Sequence, residues 1–189
     1  MKYFNKQLNE IKVLQNQIDS KVWIKQIENS IELTVKALER GKKIIFAGNG
    51  GSAADAQHMA GEFVSRFEFD RPGLAALALT VDTSIITACG NDYGYEHIFS
   101  RQLEAIGNEG DVLWVYTTSG KSKNIMNVIK SANAKNIDVI AFCGRFTELL
   151  APNVLQLVSI DSERTPRIQE WHLISGHLIC GTVEQRLFS

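Results

Sequence analysis

Between residues 42 and 160, short and almost wholly apolar runs alternate with stretches of helical periodicity, and this alternation restricts the fold class before any single residue is weighed. The runs KKIIFAG, LAALALT, DVLWVYT, DVIAFCG and VLQLVSI are strand-length and bounded by glycine or polar turns. Strands that are apolar on both sides and separated by helices form a parallel sheet covered on both faces. The expected fold is α/β, a five-stranded parallel sheet flanked by helices on both faces. Helices are expected over 52 to 67, about 82 to 105, 122 to 135 and 166 to 187, with a short segment after the fourth strand. Upstream, Ile11, Leu14, Ile18, Val22, Ile27, Ile31, Val35 and Leu38 recur at helical spacing with no strong breaker before Gly41, which predicts one long helix or two. Residues 1 to 189 are read as a single domain that opens on an N-terminal helical segment, 1 to 40.

Composition excludes some functions. A formal net charge of -1, with 22% charged and 44% hydrophobic residues, implies no nucleic-acid or anionic-membrane partner. The N-terminus MKYFNKQLNEIKVLQ is too polar for a signal peptide, and runs such as LAALAL fall far short of a membrane span, so a cytoplasmic location is expected. Cys89, Cys143 and Cys180 are widely spaced and set in apolar sequence, which predicts buried reduced thiols with no part in the chemistry. Trp23, Trp114 and Trp171 are assigned to core or interface, and His97 to packing.

In open parallel sheets ligands bind outside the carboxyl ends of the strands. The first such end carries GNGGSAADAQHMAGEF, residues 48 to 63. Glycines end the strand, Ser52 is placed to cap the helix that follows, and the strand–turn–helix unit aims backbone N–H groups at an anion above the turn. On that helix Asp55, His58 and Glu62 stand at i, i+3 and i+7, one stripe on which His58 and Glu62 are a turn apart. The spacing suits metal binding or acid–base work, and the small and apolar neighbours argue for a cleft rather than a solvated face. Gly48, Gly50 and Ala53 also satisfy G-x-G-x-x-A, a weak dinucleotide signature. Its ribose-binding acid is missing, since the first acid after the second strand is Asp82.

The third strand ends in TTSGKS, residues 117 to 122. Thr117, Thr118, Ser119 and Ser122 supply hydroxyls, Gly120 permits a backbone nest, and a helix N-terminus follows, which together make a phosphate cradle without the Walker lysine spacing. Lys121 reinforces it if turned inward. Asn91 and Asp92 lie in a turn-prone GNDYG stretch, where local backbone bonding and ligand contact are both open. The last helix contributes Gln169, Glu170, His172 and His177. Eight residues on one helix amount to about 12 Å of rise and some 80° of rotation, so a single metal is hard to reach from both Gln169 and His177 of one chain. We expect His58 and Glu62 to be completed by Gln169 from one chain and His177 from a symmetry mate.

With GNGGSAADAQH-x-A-x-E, RP-x-LAALALT, GNDYG-x-E-x-x-F-x-RQ, TSG-x-S and RIQE-x-H-x-x-x-GH-x-x-C-x-x-VE in order over nearly the whole chain, the sequence resembles the phosphoheptose isomerases of the sugar-isomerase (SIS) superfamily. The resemblance implies conversion of sedoheptulose 7-phosphate to D-glycero-D-manno-heptose 7-phosphate through an enediol, for bacterial heptose and lipopolysaccharide precursors. It implies a homotetramer with active sites at subunit interfaces, with 1 to 40 as its N-terminal helical oligomerisation segment, and one zinc ion per site. By resemblance the metal ligands are His58, Glu62, Gln169 and His177, and the catalytic set is Glu62, His177 and Asp55. Substrate contacts fall on Asn49, Gly50, Gly51, Glu62, Asn91, Asp92, Thr117, Thr118, Ser119, Ser122 and Gln169. This chain departs from the family at TTSGKS, where S-T-S-G-N-S is usual, at GRFTELLAPN, which lacks a glycine pair, and at Pro166, where some members carry Asp. The alternatives are a non-catalytic SIS binding protein of the replication-initiator-associating type, in which the positions of Asp55, Glu62 and His177 are generally replaced, and an isomerase of another ketose phosphate.

Overall fold

A computed structural model, described for residues 1–18 and 20–189, contains five strands in the order β2-β1-β3-β4-β5, all parallel. They are β1 (Ile44–Gly48), β2 (Ala76–Ala78), β3 (Val112–Thr117), β4 (Asp138–Cys143) and β5 (Gln156–Ser159). The helices are α1 (Lys2–Gln15), α2 (Lys21–Glu39), α3 (Gly51–Val64), α4 (Thr83–Asp92), α5 (Ser100–Ile106), α6 (Lys123–Ala134) and α7 (Thr165–Phe188). The expected α/β class and five-stranded parallel sheet are therefore found.

The period-2 alternation of a strand divides the core. Ile44, Phe46, Trp114, Tyr116, Ile140 and Phe142 face α2, α3 and α7, while Ile45, Ala47, Leu113, Val115, Val139 and Ala141 face α5 and α6. Both faces are dry, which is why these strands read as unbroken apolar runs. Trp23, Trp114 and Trp171 are buried as expected. Cys143 and Cys180 are buried free thiols, whereas Cys89 is only partly covered.

Two element boundaries differ from the sequence reading, and one alternative it left open is decided. The LAALALT run forms only three residues of ladder, at the sheet edge. The stretch 82 to 105 is broken, because Gly94 at φ 93° cannot continue a helix, so α4, a 3-10 turn at Tyr95–His97 and α5 follow one another. The N-terminal segment is two helices, with α2 capped by Ser20, whose hydroxyl accepts the Trp23 N–H at 3.2 Å. Position 19, between them, lies outside the described residues. Among the described residues, no helix is long and apolar enough to cross a membrane.

The strand order places a topological switch at β1, with β2 on one side and β3 on the other. The crevice between the carboxyl ends of β1 and β3 is the binding position this architecture favours.

Candidate active site

The turn after β1 is built by glycines with separate tasks. Gly50 takes φ 58°, which reverses the chain into α3, and it is the helix N-cap. A Cβ at Gly48 would lie 2.3 Å from the Ser52 carbonyl oxygen, so strand and helix meet too closely for any side chain there. Ser52, expected as the cap, instead lies inside the first turn and is buried. The positive φ at Gly50 starts the helix one residue earlier and leaves no side-chain cap.

Asn49, at the head of this turn, exchanges two amide hydrogen bonds with Asn124 of α6, both 2.8 Å, and its Oδ1 also accepts from the Tyr95 hydroxyl at 3.0 Å. These three residues, with Glu96, Ser122 and Lys123, line a cavity of ≈ 390 Å³ at the β1/β3 crevice. Sequence alone does not single out Tyr95 or Asn124, because nothing local marks a Tyr between Gly94 and Glu96 or a helical Asn until the sheet order brings three segments together.

The hydroxyl-rich turn after β3 sits beside this cavity through Ser122. Gly120 adopts φ 65°, and its N–H donates to the Thr117 hydroxyl at 3.2 Å, while the Lys121 N–H donates to the Ser119 hydroxyl at 3.2 Å. Each hydroxyl oxygen accepts within the turn and keeps its own O–H to donate. Thr117 is buried, Thr118 and Ser122 are half-buried and Ser119 is exposed. Lys121 is exposed and lies 5.2 Å over the Phe146 ring. Asn91 and Asp92 are found in the last turn of α4 rather than in a loop, exposed and bonded to each other at 2.7 Å, outside the residues that line this cavity. Asp82 caps α4 by accepting the Ile85 N–H at 2.9 Å, so it serves the helix and not a ribose.

The polar stripe of α3 packs against α7, and the two helices run the same way, meeting in a succession of polar contacts. At the first, a Cβ on Gly51 would lie 2.4 Å from Gln169 Nε2. At the second, Asp55 Oδ2 lies 4.0 Å from His172 Nδ1. At the third, His58 Nε2 lies 2.9 Å from His177 Nε2 and 3.0 Å from Glu62 Oε1. Gly176 permits the approach, since a Cβ there would meet Met59 Sδ.

This arrangement corrects one expectation. Glu62, His58 and His177 converge within a single chain, with one ligand atom of each inside 4.8 Å of the others, so the chain's own His177 reaches His58 and Glu62 where a symmetry mate's was expected. Gln169 is the residue that the helix rise sets apart: about 12 Å of α7 separates it from His177 and leaves it beside Gly51, outside that cluster.

The donors fit a catalytic zinc. Two imidazoles and one carboxylate within mutual reach, exposed enough to keep a coordination position open, are a ligand set of the catalytic rather than the structural type. His177 has its pKa lowered by partial burial and by the His58 charge, against the pull of Glu62. At the second contact, burial raises Asp55 to about 6, opposed by His58. Burial likewise drives His172 down to about 3, and the Cys143 backbone opposes this without closing a hydrogen bond by normal geometry. His172 is thus neutral, and its contact with Asp55 is no ion pair. Neither ring nitrogen of His172, nor Asp55 Oδ2, nor the buried Tyr116 hydroxyl has a hydrogen-bond partner among the described residues.

Residues 6–144 match the SIS domain family. The chain is 56% identical over 154 residues to a phosphoheptose isomerase of Burkholderia pseudomallei (strain K96243), covering 82% of this chain and 78% of that protein. Among solved structures, a phosphoheptose isomerase from Neisseria gonorrhoeae aligns with TM-score 0.90 at 37% identity, over 97% of this chain and 98% of the other. One from Francisella tularensis aligns with TM-score 0.93 at 33% identity, over 97% of each.

Proposed function

The chain belongs to the SIS-domain family, among its phosphoheptose isomerases, and from that membership we propose that it interconverts sedoheptulose 7-phosphate and D-glycero-D-manno-heptose 7-phosphate. The observation that carries the reading is the convergence of His177 of α7 on His58 and Glu62 of α3, the helix whose first turn borders the β1/β3 crevice. Between Gly51 and His58 that helix rises about 10 Å, the order of an extended seven-carbon sugar phosphate. The phosphate belongs at Thr117, Thr118, Ser119 and Ser122, where hydroxyls and the N-terminus of α6 favour an anion. Asn49, Gly50, Gly51 and Gln169 face the chain of the sugar, and Asn91 and Asp92 remain candidates for contact at its far end.

An aldose–ketose isomerisation needs a base to take a proton from the carbon beside the carbonyl and a donor at the carbonyl oxygen, after which the enediol is reprotonated on the neighbouring carbon. Glu62 takes that proton and returns it. His177, kept neutral by its depressed pKa, offers an N–H to the oxygen. Asp55 supports proton transfer from the same stripe. His58, Glu62 and His177 would hold zinc, which supplies a Lewis acid that polarises the substrate carbonyl. Because the substrate is a phosphorylated sugar, the enzyme belongs in the cytoplasm, feeding heptose synthesis for lipopolysaccharide or related glycans. The exposed apolar residues of α1, among them Tyr3, Phe4 and Val13, make 1 to 40 an assembly segment for a homotetramer in which a neighbour borders each site.

Replacing Glu62 with Gln or His177 with Gln tests the reading. Each variant is expected to lose about 100-fold or more in turnover with unchanged native mass, the usual contribution of a positioned acid or base. Near-normal turnover in either removes that residue from the chemistry. A catalytically silent binding protein is disfavoured because Asp55, Glu62 and His177 are all present and two of them converge.

A further inference from the structure

Below the His58–Glu62–His177 cluster lies a buried ion pair that the reaction does not use directly. Arg71 and Glu184 have side chains only 2% and 1% exposed, and Arg71 Nε donates to Glu184 Oε1 at 2.9 Å. The remaining bonds of both groups run to the backbone around the site. Arg71 Nη2 donates to the carbonyl of Glu62 itself at 2.8 Å, and Nη1 to the carbonyls of Phe63 at 2.7 Å and Pro72 at 3.1 Å. These include carbonyls of the last turn of α3, which a helix leaves without intrahelical partners. Glu184, on α7, accepts the N–H of Phe67 at 2.8 Å and of Glu68 at 2.7 Å. Burial opposes its charge, but the Glu68, Phe67 and Arg71 donors outweigh this and hold the carboxyl below its usual range. The Phe67 so anchored packs its ring on His177, centroids 5.5 Å apart, and is flanked by Gly181, where a Cβ would come within 2.9 Å of the ring.

We propose that Arg71 and Glu184 form a positioning clamp for the isomerase site, Arg71 fixing the helical turn that carries Glu62 and Glu184 seating Phe67 against the ring of His177. The proposal rests on the acid–base reading of Glu62 and His177 given above. One buried pair thereby sets the mutual geometry of two groups from different helices. Arginine is required at position 71, because a planar five-donor head reaches a carboxylate and three carbonyls at once, which a lysine ammonium cannot.

The test compares Arg71→Lys with Ile129→Val, a cavity variant in the core on the opposite face of the sheet. Turnover, KM, Tm and the ring signals of the four histidines in metal-free protein labelled at the imidazole carbons are measured for each. Arg71→Lys is expected to lower kcat about 10- to 100-fold, the scale of a misplacement near 1 Å, with KM within about threefold. It is also expected to shift the His58 and His177 signals while leaving His97 in place. Ile129→Val is expected to lower Tm with kcat and all four signals unchanged. Wild-type kcat and His177 signals in Arg71→Lys, or losses in Ile129→Val that match it degree for degree of Tm, overturn the clamp. If Arg71→Lys fails to fold, Phe67→Leu, which keeps the ion pair and removes the ring from His177, must shift the His177 signal and lower kcat, and failure to do so equally overturns it. Failure of the wild-type protein to isomerise sedoheptulose 7-phosphate defeats the functional reading instead, and the histidine signals still decide the clamp.

Discussion

At the scale of single residues, the site balances charged groups that burial disfavours. Asp55 shows the cost most clearly. Its folded pKa of about 6 lies above the usual aspartate value near 3.9, so its contribution to stability is fully present below the lower value and is lost as pH rises through the upper one. Ionising Asp55 at neutral pH therefore costs folding free energy, up to about 3 kcal/mol for a shift of this size. In chelator-treated protein, Asp55→Asn is expected to raise Tm at pH 8 by about 2–4 °C per kcal/mol relieved, with the advantage vanishing toward pH 4, while isomerase activity falls. A variant no more stable than wild type at pH 8 would show that Asp55 is ionised in the fold at little cost. His172, at 4.0 Å from Asp55 and with neither nitrogen hydrogen-bonded among the described residues, is the neighbour that keeps this pocket polar without neutralising it.

At the scale of elements, the site depends on how closely the β1 turn, α3 and α7 approach. The Ser52 carbonyl that Gly48 faces is backbone and cannot swing aside. Gly48→Ala is therefore expected to destabilise by about 1–3 kcal/mol, the usual cost of overpacking, and to lower Tm by several degrees. An unchanged Tm would mean the turn has slack. Elements of this kind were legible in the sequence where the signal is local. Apolar runs between turns gave the five strands, and the i, i+3, i+7 spacing gave the stripe of Asp55, His58 and Glu62 on one helix. What was not legible was set by packing across elements. The parallel run of α3 along α7 brought His177 to His58 within one chain, moved Gln169 to the Gly51 end, and paired Arg71 with Glu184 across 113 positions of sequence. Tyr95 and Asn124 entered the cavity for the same reason.

At the scale of the whole molecule, a single chain already brings Glu62 and His177 together. If inactive Glu62→Gln and inactive His177→Gln subunits are co-assembled, no site in the mixture is wild type at both positions. Turnover of mixed oligomers, confirmed by native mass spectrometry, is expected to stay at the level of the parents, and a clear rise would mean that the two residues meet across a subunit boundary after all. Whether the protein is the isomerase is decided by turnover of sedoheptulose 7-phosphate beside shorter ketose phosphates, with chelated and zinc-restored protein. Preferred turnover of the seven-carbon substrate is expected, lost on chelation and recovered with zinc. Turnover confined to a shorter ketose phosphate, or none with any of them after zinc is restored, would contradict it.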